Sequence, residues 1–156
     1  MLYNYPSFFE GMNMSSYIPV CIAVLFKKTE NGTFFFMQTR KENGPLNGLL
    51  EFPGGKLEPH ETAEECAQRE FLEEVGVCIK DSTIYERIGP YKYDYSDRCV
   101  CIYAVLMRQD DIEIDEGAWV PFSLEFDETT WAGKVPEANL EIIKDITNHI
   151  KNHDLN

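Results

Sequence analysis

Apolar residues run almost without interruption from Tyr17 to Lys27 (YIPVCIAVLFK), and again in TFFFMQTR after Asn31-Gly32. Both runs predict strands, and the Asn-Gly pair predicts the hairpin turn that joins them. KENGPLNG follows as a loop rich in turn residues, LLEF as a short strand, and Pro53-Gly54-Gly55 as its breaker. Thr62 to Val75 predicts the best-defined helix of the chain. Thr62 can cap its start, Glu65 completes a capping box three residues later, and Gly76 suits its end. Strands are expected over 77–89, 91–96 and 98–107. The acidic segment RQDDIEIDEG then interrupts before WVPFSL. A last helix is expected from Glu137 to about Lys151, because Ala138, Ile142, Ile146 and Ile150 recur every fourth position. Pro136 fits its approach. Strands, helix, strands, helix is an α+β order, a mixed sheet covered by helices. Residues 1–16 show no clear period and are expected to be an N-terminal extension, with one domain over 17–152.

Composition narrows the class. A chain of 156 residues with 44% hydrophobic residues can bury a single sizeable core. No apolar run is long enough to predict a membrane span, and no secretory signal pattern opens the chain. The five cysteines, Cys21, Cys66, Cys78, Cys99 and Cys101, have no metal-ligand spacing. A reduced, cytoplasmic protein is expected. The net charge of -13 argues against a broad nucleic-acid-binding surface, so no stable nucleic-acid partner is expected. It also means that a polyphosphate would need local basic groups or divalent cations.

The densest charge falls on the Thr62–Val75 helix. Gly54 to Gly76 reads GGKLEPHETAEECAQREFLEEVG and holds seven glutamates. At about 100° per residue, Glu70, Glu73 and Glu74 share an arc of roughly 100°. Phe71, Leu72 and Val75 are expected to form a separate apolar face. Ala63, Cys66 and Ala67 would let a neighbouring loop come close. Arg69 can pair with one of the carboxylates. Like charges in one arc are unfavourable, and a hard cation such as Mg²⁺ or Mn²⁺ would compensate them. A solvated acidic face is the alternative.

Gly55, then Glu61 six residues on, then Arg69-Glu70-Phe71-Leu72-Glu73-Glu74-Val75-Gly76-Val77, resembles the complete Nudix signature. EFPGGK just before it, YSDR at 95–98 and PEANLEII at 136–143 resemble the MutT-like branch of that family. The resemblance covers about residues 18–150. It implies a Nudix fold, an α/β/α sandwich with a mixed β-sheet and a loop–helix–loop motif. It also implies hydrolysis of a phosphorus-containing anhydride with Mg²⁺ or Mn²⁺. On this resemblance Glu70, Glu73, Glu74 and the Gly54 carbonyl hold metal, Glu61 supports the metal site, and Arg69 orients a glutamate.

The reaction so implied is attack of water at the internal phosphorus of a nucleoside triphosphate, giving the monophosphate and pyrophosphate. Glu70 is one candidate general base; Glu113, Asp115 and Glu116 of the acidic segment are the others. Arg40 and Lys41 are candidates for phosphate contact. Asn139, in Pro136-Glu137-Ala138-Asn139, matches a base-reading asparagine of MutT-like enzymes, since one amide can both donate to and accept from a purine edge. A local cap at the helix start is its alternative. Arg98 matches another nucleotide-pocket position, and Phe52 and Tyr95 can line the pocket. Guanine-type nucleotides, 8-oxo-dGTP among them, are the expected substrates. Capped or triphosphorylated RNA ends, dinucleoside polyphosphates and nucleotide sugars are alternatives, and a non-catalytic nucleotide-binding module is a distant one. The expected partner is thus a small nucleotide, bound by a monomer or a homodimer.

Overall fold

A computed structural model describes residues 17–115, 117–153 and 155. The expected extension, 1–16, and Glu116 lie outside the described residues. The elements are β1 (Ile18–Thr29), β2 (Gly32–Thr39), β3 (Leu50–Glu51), β4 (Gly54–Lys56), α1 (Ala63–Val75), β5 (Thr83–Asp94), β6 (Cys99–Arg108), β7 (Ala118–Pro121), α2 (Glu128–Trp131) and α3 (Ala138–Asn152).

The strands form one mixed sheet in the order β3-β2-β1-β6-β5, with β4 on β1 and β7 on β2. β1 and β6 run parallel from Ile18↔Val100 to Phe26↔Arg108. The other pairings are antiparallel. Alternate residues of the central strands serve two cores. Cys21, Ala23 and Leu25 pack towards α1 with Cys66, Ala67 and Phe71. Val24 and Phe26 pack towards α3 with Ile142, Ile143 and Ile146. Burial on both faces explains why these strands read as continuous apolar runs. The result is the expected α/β/α sandwich.

β1 changes partner along its length. Phe26–Thr29 pair with β2, whereas Val20–Ile22 pair with β4. β2 therefore diverges from the start of β1. The Gly54-Gly55 pair, expected only to break a strand, forms β4. It can do so because it has no side chains. A Cβ on Gly54 would stand 2.5 Å from the Cys21 carbonyl oxygen and 2.8 Å from the Ile22 Cα.

Three other features differ from the sequence expectation. Residues 77–82 leave the sheet in a turn, closed by the Ser82 N–H donating to the Ile79 carbonyl at 3.1 Å. β5 continues across Gly89-Pro90, and a register shift between Ile88 and Tyr91 absorbs the irregularity. α2 was not foreseen; Asp127 caps it by accepting from the Thr129 N–H, and it buries Trp131.

α1 has the expected capping box between Thr62 and Glu65, and Gly76 ends it in the left-handed conformation. Its buried face is rotated from the expected one. Ala63, Cys66, Ala67 and Phe71 are buried, while Leu72 is exposed. Those positions form one stripe at spacings of three and four. Three of the four side chains are small, so the helix lies close to β1 and β4. Glu70 and Glu74 continue the same stripe and are carried towards the sheet backbone.

Candidate active site

The loop before α1, β4 and β2 bring their polar groups to α1. The Arg69 guanidinium is the hub. Its Nε and Nη2 donate to Glu61 at 2.6 and 3.0 Å, and its Nη1 donates to Glu70 at 2.9 Å and Glu73 at 3.2 Å. Nη2 also reaches the Lys56 carbonyl at 3.1 Å, which fastens the helix to β4. Glu61 is largely buried. Burial pushes its carboxyl up, but the Arg69 guanidinium and the Glu58 backbone N–H outweigh this and hold it below the usual carboxylate range. Arg69 itself is held well above the ordinary arginine value by Glu61.

Glu70 and Glu74 face the β4 backbone. The Glu70 carboxylate lies over Gly55, where a Cβ would stand 2.4 Å from its carboxyl carbon. Glu74 accepts from the Gln38 side chain at 2.7 Å and from the Gly54 N–H at 3.3 Å. Burial, assisted by repulsion from Glu70 and Glu51, pushes the Glu74 carboxyl up despite those two donors. Glu73 points outward and is more than half exposed.

Glu74 and Gly54 also line a cleft of about 300 Å³. Its lining includes Val20, Ile22 and Phe52, together with Arg98, Pro136 and Asn139. Arg40 and Tyr95 line it as well. Phe52 is buried and packs edge-on against Phe35 at 5.6 Å, so it serves both core and cleft. Tyr95 and Arg98 bracket the β5–β6 loop, where the Tyr95 N–H donates to the Arg98 carbonyl at 2.7 Å. Asn139 is the second residue of α3, whose cap position is Glu137. Its amide is therefore not the helix cap, and it has no hydrogen-bond partner among the described residues.

Arg40 lines the cleft, but Glu42 and Glu51 each hold its guanidinium at 3.0 Å. Lys41 lies apart from the cleft, in an adjoining recess of about 750 Å³ shared with Gln38, Glu74 and Gly117. Glu113 and Asp115 are exposed on the loop before β7. Glu116 lies outside the described residues.

Gln38 and Glu51 were not singled out from sequence. Gln38 had a signal, a polar residue directly after the apolar run Phe34–Met37. Glu51 had none, because its importance comes from pairing with Arg40 and from its charge near Glu74, both brought together by the β2–β3 pairing.

The donors near β4 are all carboxylate or backbone oxygens, the set that hard divalent cations prefer. In the cleft two arginines face three carboxylates, Glu51, Glu74 and Asp97, and one arginine is already paired. A polyphosphate would meet net negative charge there, and a cation beside Glu70 and Glu74 would relieve it. Among the described residues no three acidic, histidine or cysteine side chains already converge on one cation position. Glu70 and Glu73 are instead drawn to Arg69. The residue set fits a divalent cation in chemistry, with Glu70, Glu73, Glu74 and Gly54 as the groups to hold it.

The NUDIX domain family model matches residues 18–140. An 8-oxo-dGTP diphosphatase from Haemophilus influenzae is 29% identical over 134 residues, covering 80% of this chain and 89% of that enzyme. The 8-oxo-dGTP diphosphatase of Escherichia coli K12 is 33% identical over 88 residues, 56% of this chain and 65% of that enzyme. Among solved structures, the M. smegmatis Nudix hydrolase RenU superposes with a TM-score of 0.67 at 16% identity, over 86% of this chain and 89% of that one. The MutT protein of Methanosarcina mazei Go1 gives 0.61 at 22% identity, over 87% and 96%. The chain belongs to the NUDIX domain family and is a MutT-like hydrolase acting on phosphorus-containing anhydrides. No helix of the described residues is long and apolar enough to cross a membrane.

Proposed function

We propose that this protein hydrolyses nucleoside triphosphates to the monophosphate and pyrophosphate, with Mg²⁺ or Mn²⁺, and prefers guanine-type bases such as that of 8-oxo-dGTP. The relatives named 8-oxo-dGTP diphosphatase support the substrate class. The observation that carries the reading is that Glu74 and Asn139 line one and the same cleft. A nucleotide lying along it would place its phosphates at Glu74 and Gly54 and its base at Asn139.

A bound divalent cation would neutralise phosphate oxygens and lower the pKa of a water near them. The chain's own residues prepare that place. Arg69 holds Glu61, Glu70 and Glu73 in fixed rotamers. Gln38 and the Gly54 N–H hold Glu74. Phe52 and the aliphatic side chains of Val20 and Ile22 exclude water from the base end, and Arg98 supplies positive charge at the cleft. Lys41 stands ready for the terminal phosphates in the adjoining recess. Glu70 is the base that this geometry favours, because it is anchored at one oxygen and faces β4.

Pyrophosphate release with Mg²⁺ across dGTP, 8-oxo-dGTP, the other nucleoside triphosphates, ADP-ribose and 5′-triphosphate RNA tests the proposal. The expected result is release from triphosphates, fastest with guanine-type bases. Turnover of ADP-ribose or RNA alone would sink it. Asn139→Ala should then reduce discrimination between bases, because an unpaired polar edge costs about 1–3 kcal/mol. Equal losses on every nucleotide would remove Asn139 from base reading.

A further inference from the structure

Tyr91 and Tyr93 alternate along β5, where residues two apart share a face of the strand, and Tyr95 follows just past its end. They make a ladder leading to the cleft. Tyr91 is buried and donates from its hydroxyl to Asp145 of α3 at 2.8 Å. Tyr93 donates from its hydroxyl to the Ala138 carbonyl, the first residue of α3, at 2.7 Å. Tyr95, beyond the strand, lines the cleft itself.

The middle rung matters because α3 does not fix its own start. Its cap residue, Glu137, makes no side-chain capping bond, whereas Thr62 of α1 does. Among the described residues, the turn into α3 is closed by local backbone bonds, Asn139 N–H to Pro136 at 2.8 Å and Leu140 N–H to Glu137 at 3.1 Å. Such bonds shape the turn, and the Leu50 N–H of β3, donating to the Lys134 carbonyl at 2.8 Å, ties the chain before it to the sheet. The Tyr93 hydroxyl ties α3 itself, one residue before Asn139. The sheet end of that tie is rigid, since β5 and β6 are paired on both sides of it, at Lys92↔Cys101 and Asp94↔Cys99.

We infer that Tyr93 is a positioning residue for base discrimination, its hydroxyl fixing the first turn of α3 and hence where the Asn139 amide stands in the cleft. This rests on the proposal that Asn139 reads the base. Tyr91 holds the same helix almost two turns further on and stabilises it without governing Asn139.

The test compares kcat/KM for dGTP and dATP in the wild type, Tyr93→Phe, Tyr91→Phe, Asn139→Ala and the Tyr93→Phe/Asn139→Ala double variant. Phenylalanine keeps the ring and removes only the hydroxyl. Tyr93→Phe is expected to lower the dGTP-over-dATP ratio about three- to tenfold, the range of one neutral hydrogen bond. The loss should fall on KM for dGTP, with kcat for dATP unchanged. It should vanish when Asn139 is already alanine, since residues acting through one group are not additive. Tyr91→Phe should lower Tm and leave the ratio alone. An unchanged ratio in Tyr93→Phe, or an equal drop in the Asn139→Ala background, overturns the inference. If Asn139→Ala itself leaves the ratio at the wild-type value, base reading fails and this inference with it. If Asn139→Ala collapses the ratio and Tyr93→Phe does not, only the positioning role fails.

Discussion

Arg69 grips Glu61 with two donors, at 2.6 and 3.0 Å, from a position one turn before the last glutamates of α1. That grip joins the loop before the helix to the helix itself. The same guanidinium reaches Glu70 and Glu73, so three of the signature carboxylates share one counter-charge. Glu74 is excluded from it and depends on Gln38 and β4 instead.

Replacing Arg69 by alanine should therefore release Glu61, Glu70 and Glu73 together. A largely buried Glu61 would lose its partner, a penalty of about 1–3 kcal/mol. Turnover should fall at least a hundredfold, because the carboxylates lose their fixed places. Arg69→Lys should recover stability better than rate, since an ammonium cannot serve three carboxylates from one plane. Steady-state kinetics at several Mg²⁺ concentrations, alongside a thermal melt, would separate the two effects.

Gly54 and Gly55 should fail in different ways. The atoms nearest an alanine Cβ at Gly55 belong to the flexible end of Glu70, so the fold should survive with Glu70 pushed aside. An alanine at Gly54 meets the backbone of Cys21 and Ile22, so the β1–β4 pairing must give way. Circular dichroism melts should show a small change for Gly55→Ala and a large loss for Gly54→Ala. Gly55→Ala should still lose more than tenfold in kcat. A fully active Gly55→Ala variant would show that Glu70 is not needed where it stands.

Thr62→Ala removes the accepting half of the α1 capping box. Its Oγ1 no longer takes the Glu65 N–H at 3.1 Å. The expected penalty is about 1 kcal/mol of stability, with kcat nearly intact. A denaturant titration checks the first part. Unchanged stability would mean that the start of α1 is held by packing of Ala63 and Cys66 alone.

Asp110 should contribute to acid sensitivity. The Arg108 guanidinium, at 2.9 Å, holds its carboxyl below the usual carboxylate range, helped by the Lys28 backbone N–H. A carboxyl lowered on folding stabilises the protein above its unfolded pKa, about 3.9, and loses that contribution as pH falls through the folded value. Between pH 5 and pH 3 the wild-type Tm should therefore fall more than that of Asp110→Asn. Parallel curves for the two proteins would exclude the contribution.

Much of this molecule was legible in one dimension. Apolar runs located β1, β2 and β6, and the capping box with Gly76 placed α1 to the residue. The spacing of Gly55, Glu61, Arg69, Glu70, Glu73 and Glu74 pointed to a family, because a helical repeat fixes which side chains can act together. Those signals are local, and local chemistry enforces them.

Other features have no local signal. Leu72 looked buried and is exposed, because the small residues Ala63, Cys66 and Ala67 let the opposite stripe approach the sheet. Gly54-Gly55 looked like a break and is a strand, because pairing with Val20–Ile22 needs the room that absent side chains leave. Arg40 lines the cleft, and the β2–β3 pairing sets Glu51 against it, a partner its local sequence does not signal. The helix, its carboxylates and their spacing were written into the chain's local order. That Glu74 and Asn139 share a cleft, and that the Tyr93 hydroxyl bonds the residue before Asn139, came from folding, since contacts between distant segments depend on how β1 splits between two partners and where α3 docks on β5.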